Sequence, residues 1–213
     1  MNGNRAADGR GGLMVFERAL AGIALLLCAP LFAVLAVAVA LDSRGPIFFR
    51  QQRIGRDFEP FTMIKFRSME HGYSDASHRE RNLRELAGGG PNGGPVAHKP
   101  VNDPGLTRVG KHLRRYSLDE LPQLWNVWRG EMAFVGPRPS LPWEVDEFPS
   151  WADPRFAVLP GLTGLWQVSG RNQVSILGML EMDVDYVRSK SALLDASILV
   201  RTLPAVVSAT GAA

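Results

Sequence analysis

The residues of this chain best suited to covalent chemistry stand together in Ser117-Leu118-Asp119-Glu120-Leu121-Pro122-Gln123. Two adjacent carboxylates offer a nucleophile and oxygen ligands for a divalent cation; Mg2+ commonly takes one or two carboxylates together with substrate phosphates. The spacing of Ser117 and Glu120 reads as a capping box that opens a helix. Such a terminus keeps Asp119 ionised and attracts phosphate. The plain structural reading stands beside it: two acids set in a first turn for the helix dipole alone. Leu118, Leu121, Leu124, Trp125 and Trp128 then fall on one apolar stripe.

Cations suited to a phosphorylated substrate lie in four other places. Arg114 and Arg115 come just before the two acids, within reach of a pyrophosphate if the chain turns at Tyr116-Ser117. In Lys65-Phe66-Arg67, a strand would bring both cations to one face. Arg138 sits in Gly136-Pro137-Arg138-Pro139, where Pro137 and Pro139 fix the backbone around a group able to bind phosphate bidentately. Gln167, Arg171 and Asn172 close a turn-rich stretch that begins at Pro160. Taken singly, each of these is also what a solvated loop looks like. No serine stands in a nucleophile elbow, and neither a Walker loop nor a dinucleotide fingerprint occurs. The four histidines are scattered without zinc-ligand spacing, and Cys28, the single cysteine, excludes an intrachain disulfide.

The elements that must position these groups begin with an apolar block. Residues 1–12 are polar and Gly-rich and read as a disordered tail. From Leu13 to Leu41 the chain is almost wholly apolar, interrupted by Glu17 and Arg18, and Ala19 to Leu41 is long enough to cross a bilayer as a helix. Pro30, near its middle, predicts a bend. A cleaved signal peptide fits poorly because the run is too long. Arg5, Arg10 and Arg18 flank one end, and Arg44, Arg50, Arg53 and Arg56 the other. Basic residues on both sides suit two cytoplasmic flanks, so a dip into one leaflet and a straight span both stand.

Pro46 to Arg50 and Phe58 to Phe66 read as two strands joined by a turn over Arg53 to Asp57. Residues 73–105 are polar, with a Gly/Pro-rich core at 88–95, and read as a mobile loop. From Leu106 helices and turns are expected, the last helix running from Ala192 to Val207. At 213 residues the chain is bounded to one domain with a short appendage. A formal charge of +3 suits an anionic membrane surface or a phosphorylated substrate better than nucleic acid.

The segment Arg114 to Val127, with Ser117-Leu118-Asp119-Glu120-Leu121-Pro122-Gln123 inside it, resembles the core of the bacterial sugar transferase family, the monotopic polyprenyl-phosphate phosphoglycosyl transferases. Phe48 to Gly55, Lys65-Phe66-Arg67-Ser68-Met69, Val135 to Pro139 and Pro160 to Gly164 are similar to further motifs of that family, in its order. The resemblance runs from Leu13 to the C-terminus. It implies a mixed α/β fold, mostly helical. A re-entrant membrane helix over 13–41, a short β-hairpin and interfacial amphipathic helices would surround a cytosolic active site within 42–213. It implies that Asp119 attacks the sugar-bearing phosphorus of a UDP-sugar, that Glu120 with Asp119 holds Mg2+, and that Arg114 neutralises diphosphate charge. Lys65, Arg67, Pro137, Arg138, Pro139, Gln167 and Arg171 would bind substrate. Implied partners are the UDP-sugar donor, undecaprenyl phosphate and the bacterial inner membrane, with no nucleic acid, and the resemblance admits a homodimer. Trp166 to Arg171 is similar to relatives that use glucose or galactose. Departures include Ala29-Pro30 for a common Ser-Pro, Gly105 for a basic residue and Asp185 for an aromatic. Two rivals remain: a membrane-tethered, non-catalytic nucleotide-sugar-binding or scaffold protein, and a spanning anchor on a soluble basic module.

Overall fold

The computed structural model describes residues 10–72, 79–80, 82–83, 85, 105–169 and 174–207. Helix α1 (Arg10–Leu27) begins earlier than the expected tail allows, so residues 10–12 belong to the helix. After Cys28 the chain continues as α2 (Ala29–Asp42), bent from α1 by 62°. Proline accounts for the bend. Cys28 N–H still reaches the Ala24 carbonyl at 2.9 Å and Phe32 N–H reaches Cys28 at 2.8 Å. Pro30 alone lacks the donor, and its ring clashes with the carbonyl four residues back. Neither helix is long and apolar enough to cross a membrane by itself, whereas the bent pair reaches that length and composition together. Val15, Phe16, Leu26, Leu27, Val34, Val37 and Leu41 are exposed along it.

Strands β1 (Phe48–Ile54) and β2 (Pro60–Phe66) form an antiparallel hairpin with Phe48 opposite Phe66 and Ile54 opposite Pro60. Strand β1 runs through Arg53, a residue the sequence pattern places in the turn. Period-two alternation puts Phe61, Met63 and Lys65 on one face of β2. Phe61 and Met63 pack with Ala21 of α1, Val127 and Met132, while Phe66 on the other face packs with Val39 of α2 and Leu113. The hairpin is thus clamped between the two arms of the bent helix pair.

The rest of the chain wraps this unit. Helix α3 (Arg108–Arg115) leads into a 3-10 helix (Leu118–Gln123), which passes directly into α4 (Leu124–Arg129). Strands β3 (Ala133–Val135) and β4 (Gly161–Thr163) pair in parallel. No local pattern announces them in a region where only helices and turns are expected. Between them lie α5 (Pro142–Val145) and a further 3-10 helix (Ser150–Ala157). Helices α6 (Leu165–Ser169), α7 (Ile176–Ser189) and α8 (Ala192–Val207) follow, the last with the expected bounds.

Within the expected loop at 73–105, residues 79, 80, 82, 83 and 85 are helical. Tertiary partners hold them: Asn82 Nδ2 donates to Glu144 Oε1 at 3.0 Å, and Ile176 N–H donates to Glu85 Oε1 at 2.7 Å. The Gly/Pro-rich stretch at 88–95 lies outside the described residues. The described fold is mostly helical with two small sheets, a mixed α/β arrangement.

Candidate active site

The two acids occupy the first turn of the 3-10 helix, but no capping box holds them. Ser117 has φ 54° and its side chain caps nothing. Its carbonyl instead accepts from Glu120 N–H at 3.2 Å, a 3-10 bond. Pro122 supplies the reason: without an N–H, and with its ring directed at the carbonyl of residue 118, it disfavours an α-turn there. Nor do the apolar residues share one stripe. Leu124 and Val127 are buried, whereas Trp125 and Trp128 are over 40% exposed and lie against each other at 4.8 Å between ring centroids.

Glu120 lines a cleft together with Lys65, Arg53, Gln123, Arg138, Pro139, Leu162 and Gln167. Strand β2 delivers Lys65 to Glu120: Nζ donates to Oε1 at 3.2 Å. The β3–β4 pair delivers the opposite wall. Gly136 N–H donates to the Thr163 carbonyl at 3.0 Å and Gly161 N–H to the Pro137 carbonyl at 2.9 Å. That approach needs glycine, because a Cβ on Gly161 would stand 2.1 Å from the Gly136 nitrogen. One cleft therefore gathers three cations, a carboxylate and two carboxamides.

Asp119 does not line the cleft surface. It is 3% exposed, with Oδ1 buried, and its carboxylate makes no hydrogen bond or ion pair among the described residues. Burying a carboxylate without a partner is costly, so such a group calls for an explanation. Arg114 is reached by the turn at Tyr116-Ser117, but its Nε donates to Ser68 Oγ at 3.1 Å, and it too stands off the lining.

Arg67 departs from its expected place. Strand β2 ends at Phe66, so Lys65 and Arg67 do not share a strand face. Arg67 is buried at the end of α2, where Nη2 donates to the carbonyls of Val39 and Ser43 at 3.3 and 2.6 Å. Pro137 lines a smaller neighbouring cavity with Arg155 and Phe156. Arg171 lies outside the described residues.

Sequence reasoning misses four residues here. Arg53 reads as a turn residue, yet its Nη1 donates to the Pro139 carbonyl at 3.1 Å on the cleft wall. Gln123 points no hydrogen bond at any described residue although it is buried on the cleft lining. Arg155 and Asp183 form a fully buried pair, Nη2 to Oδ2 at 2.6 Å, behind the Arg138 loop. Gln123 was legible from its place one turn after Asp119-Glu120; the other three carry no local signal.

Among the described residues no three of His, Cys, Asp and Glu come together as a metal cage. Two adjacent carboxylates, one of them lacking any partner among the described residues, fit a Mg2+ whose remaining ligands are water and substrate phosphate.

Residues 12–209 match the family described as bacterial sugar transferase. This chain belongs to that family. The transferase is 40% identical over 200 residues to the exopolysaccharide production protein ExoY of Sinorhizobium fredii, covering 92% of this chain and 85% of that one. It is 36% identical to the UDP-glucose:undecaprenyl-phosphate glucose-1-phosphate transferase of Caulobacter vibrioides, over 93% of this chain and 70% of the relative. It is also 42% identical to the UDP-galactose-lipid carrier transferase of Erwinia amylovora, over 91% of this chain but 39% of the relative.

Proposed function

We propose that this transferase moves a hexose 1-phosphate from a UDP-sugar to undecaprenyl phosphate in two covalent steps, opening the synthesis of a surface glycan. A carboxylate oxygen of Asp119 attacks the sugar-bearing phosphorus. An Asp–O–P bond forms, the bond from that phosphorus to the bridging oxygen breaks, and UMP leaves with that oxygen and its electron pair. A phosphate oxygen of the lipid then attacks the same phosphorus and releases the Asp119 carboxylate, giving a polyprenyl diphosphate sugar. The observation that carries this reading is the buried Asp119 carboxylate, without a partner among the described residues, beside a cleft lined by Arg53, Lys65 and Arg138. No hydrogen bond has to break for Asp119 to turn toward that cleft.

The charged lining suits phosphoryl transfer, where catalysis is chiefly positioning and charge stabilisation. Lys65, Arg53 and Arg138 hold the diphosphate, with Arg114 adding positive charge nearby. Glu120, with Asp119 beside it, would hold Mg2+, which when bound neutralises the departing phosphate. Pro137 and Pro139 stiffen the loop that carries Arg138, and Gln167 offers a carboxamide to the neutral part of the donor. The relatives' names favour glucose or galactose as the sugar.

The bent helix pair supports a membrane dip that returns to the face it entered, with the cleft on the cytoplasmic side of the bacterial inner membrane. Basic flanks at both ends and the apolar exposure of α1 and α2 favour it. A site at that boundary can serve a soluble donor and a lipid acceptor in turn.

Radiolabelled UDP-glucose or UDP-galactose, undecaprenyl phosphate and Mg2+ test the reaction directly. Donor alone is expected to add a phosphohexose to a peptide containing Asp119. Two successive in-line displacements also predict net retention of configuration at a chiral phosphorus. Inversion, or lipid-linked product from Asp119→Asn at the native rate, would refute the covalent route.

A further inference from the structure

Behind the cleft, the loop that carries Arg138 is fastened at four consecutive carbonyls. Gly161 N–H donates to Pro137 at 2.9 Å, Arg155 Nη2 to Arg138 at 2.8 Å, Arg53 Nη1 to Pro139 at 3.1 Å and Ile54 N–H to Ser140 at 2.8 Å. Arg155 does more than the others. Its Nη1 also donates to Ser140 Oγ, while Nε and Nη2 reach Asp183 Oδ2 at 3.2 and 2.6 Å. Its guanidinium carbon lies 5.3 Å from the Phe148 ring centroid and 5.2 Å from that of Phe156. Both partners of the ion pair are 1% exposed, so the pair presents no charge to solvent.

The chemistry of the loop says why so much is invested there. Phosphate is bound by N–H groups and cations, and Pro137 and Pro139 have no N–H. The peptide between Arg138 and Pro139 therefore has only a carbonyl to offer. Aimed at the cleft, that oxygen would repel an anionic diphosphate; aimed at Arg155, it is withdrawn. Arg155 lines the smaller cavity behind the loop and is absent from the cleft lining.

Resting on the reading of the cleft as the diphosphate site, we propose that Arg155, braced by Asp183, is a positioning residue that withdraws the Arg138 carbonyl and so presents the Arg138 guanidinium to the donor. A lysine at 155 keeps the cation but has one head group for acceptors that the planar fork reaches from three nitrogens. Burial pushes the Asp183 carboxyl upward, and the Arg155 charge is the largest influence opposing it. Asp183→Asn keeps the shape and loosens the brace.

The test is a double-mutant cycle on donor affinity, with UDP-glucose and UDP-galactose titrated onto the full chain in detergent. Circular dichroism and thermal unfolding identify folded variants. Arg138→Ala is expected to weaken binding, and Arg155→Lys to weaken it by about tenfold. In the Arg138→Ala background, Arg155→Lys should then add little, because it acts through that side chain. Losses that multiply, or native affinity in folded Arg155→Lys, would overturn the proposal. If Arg155→Lys does not fold, Asp183→Asn takes its place in the cycle: a loss that vanishes in the Arg138→Ala background supports the proposal, and one that multiplies overturns it. Unchanged affinity in Arg138→Ala itself would instead remove the diphosphate site on which the proposal rests.

Discussion

Lys65 Nζ lies 3.2 Å from Glu120 Oε1, with both side chains about 15% exposed, so a strand of the hairpin is tied to the helix that carries the two acids. Each group holds the other's charge in a partly desolvated cleft. Glu120→Gln is expected to leave the fold intact and to raise the Mg2+ concentration needed for half-maximal UMP release. Lys65→Met should lower turnover by about 10²-fold at saturating Mg2+, the usual scale for one lost electrostatic contact at a phosphoryl group. A Mg2+ titration of UMP release in the two variants separates these effects. An unchanged Mg2+ requirement in Glu120→Gln would remove Glu120 from the metal.

Asp119 sets stability against activity. Its buried carboxylate has no partner among the described residues, and an unsatisfied buried polar group costs about 1–3 kcal/mol, more when charged. Asp119→Leu should therefore raise the thermal midpoint in detergent. It should also cut sugar-lipid formation by at least about 10³-fold, the scale expected for loss of the proposed nucleophile. A variant both inactive and destabilised would show that the carboxylate holds the fold together instead.

In the proposed membrane dip, the bend at Pro30 is what returns the chain to the face it entered. Pro30→Ala restores the missing donor to a ladder already intact on either side. In a Cys28→Ser background, single cysteines at positions 8 and 44 should be labelled from one side in the native sequence. Pro30→Ala should move the pair toward labelling from opposite sides. Opposite-side labelling of the parent would exclude the dip.

Gly161 is a packing constraint with a catalytic consequence. A Cβ there would meet the Gly136 nitrogen at 2.1 Å and the Thr163 carbonyl at 2.4 Å. Gly161→Ala should cost about 1–3 kcal/mol by forcing β3 and β4 apart. It should also raise the Michaelis constant for the donor, since the displaced wall carries Arg138. Chemical denaturation and initial rates read the two effects.

What the sequence makes legible here is local. Two short β-prone runs and a turn signal point to the hairpin; Pro30 points to the bend; and the apolar run from Ala192 points to α8. Elements that depend on distant partners are hidden. Strands β3 and β4 are three residues each and exist only because two glycines let their backbones touch. The helical residues near 79–85 are mostly polar in sequence and are held by Glu144, Ile176 and the Trp143 ring, over which Arg79 lies at 5.5 Å. At the site, the sequence points to Glu120, Lys65, Arg138, Pro139 and Gln167, which the cleft gathers, and to Asp119, which is buried off its lining. Arg67 misleads because a strand one residue longer would have put it beside Lys65. Arg53 and Arg155 escape because their meaning lies in carbonyls far away in the chain, and Asp183 because its partner is Arg155, 28 residues before it.

Helix α1 is fastened to the rest of the molecule by bonds that arrive late. Arg18 Nε donates to the Trp128 carbonyl, 110 residues on, and Phe134 N–H donates to Glu17, 117 residues on. At about 5–20 residues per second, a ribosome needs roughly 6–22 s to make the shorter of those intervals. Throughout that time the bent helix pair has only earlier partners, among them Phe61, Met63, Phe66 and Leu113, to pack against, and its two long-range α1 bonds are unmade. If the helix pair dips into the membrane as proposed, lipid is available to its exposed apolar side chains before Trp128 and Phe134 are made. A chain made without α1 would therefore lose the packing of Ala21 on Val127 and Met132 as well as both bonds, so that folding of the later half depends on the first helix to be made.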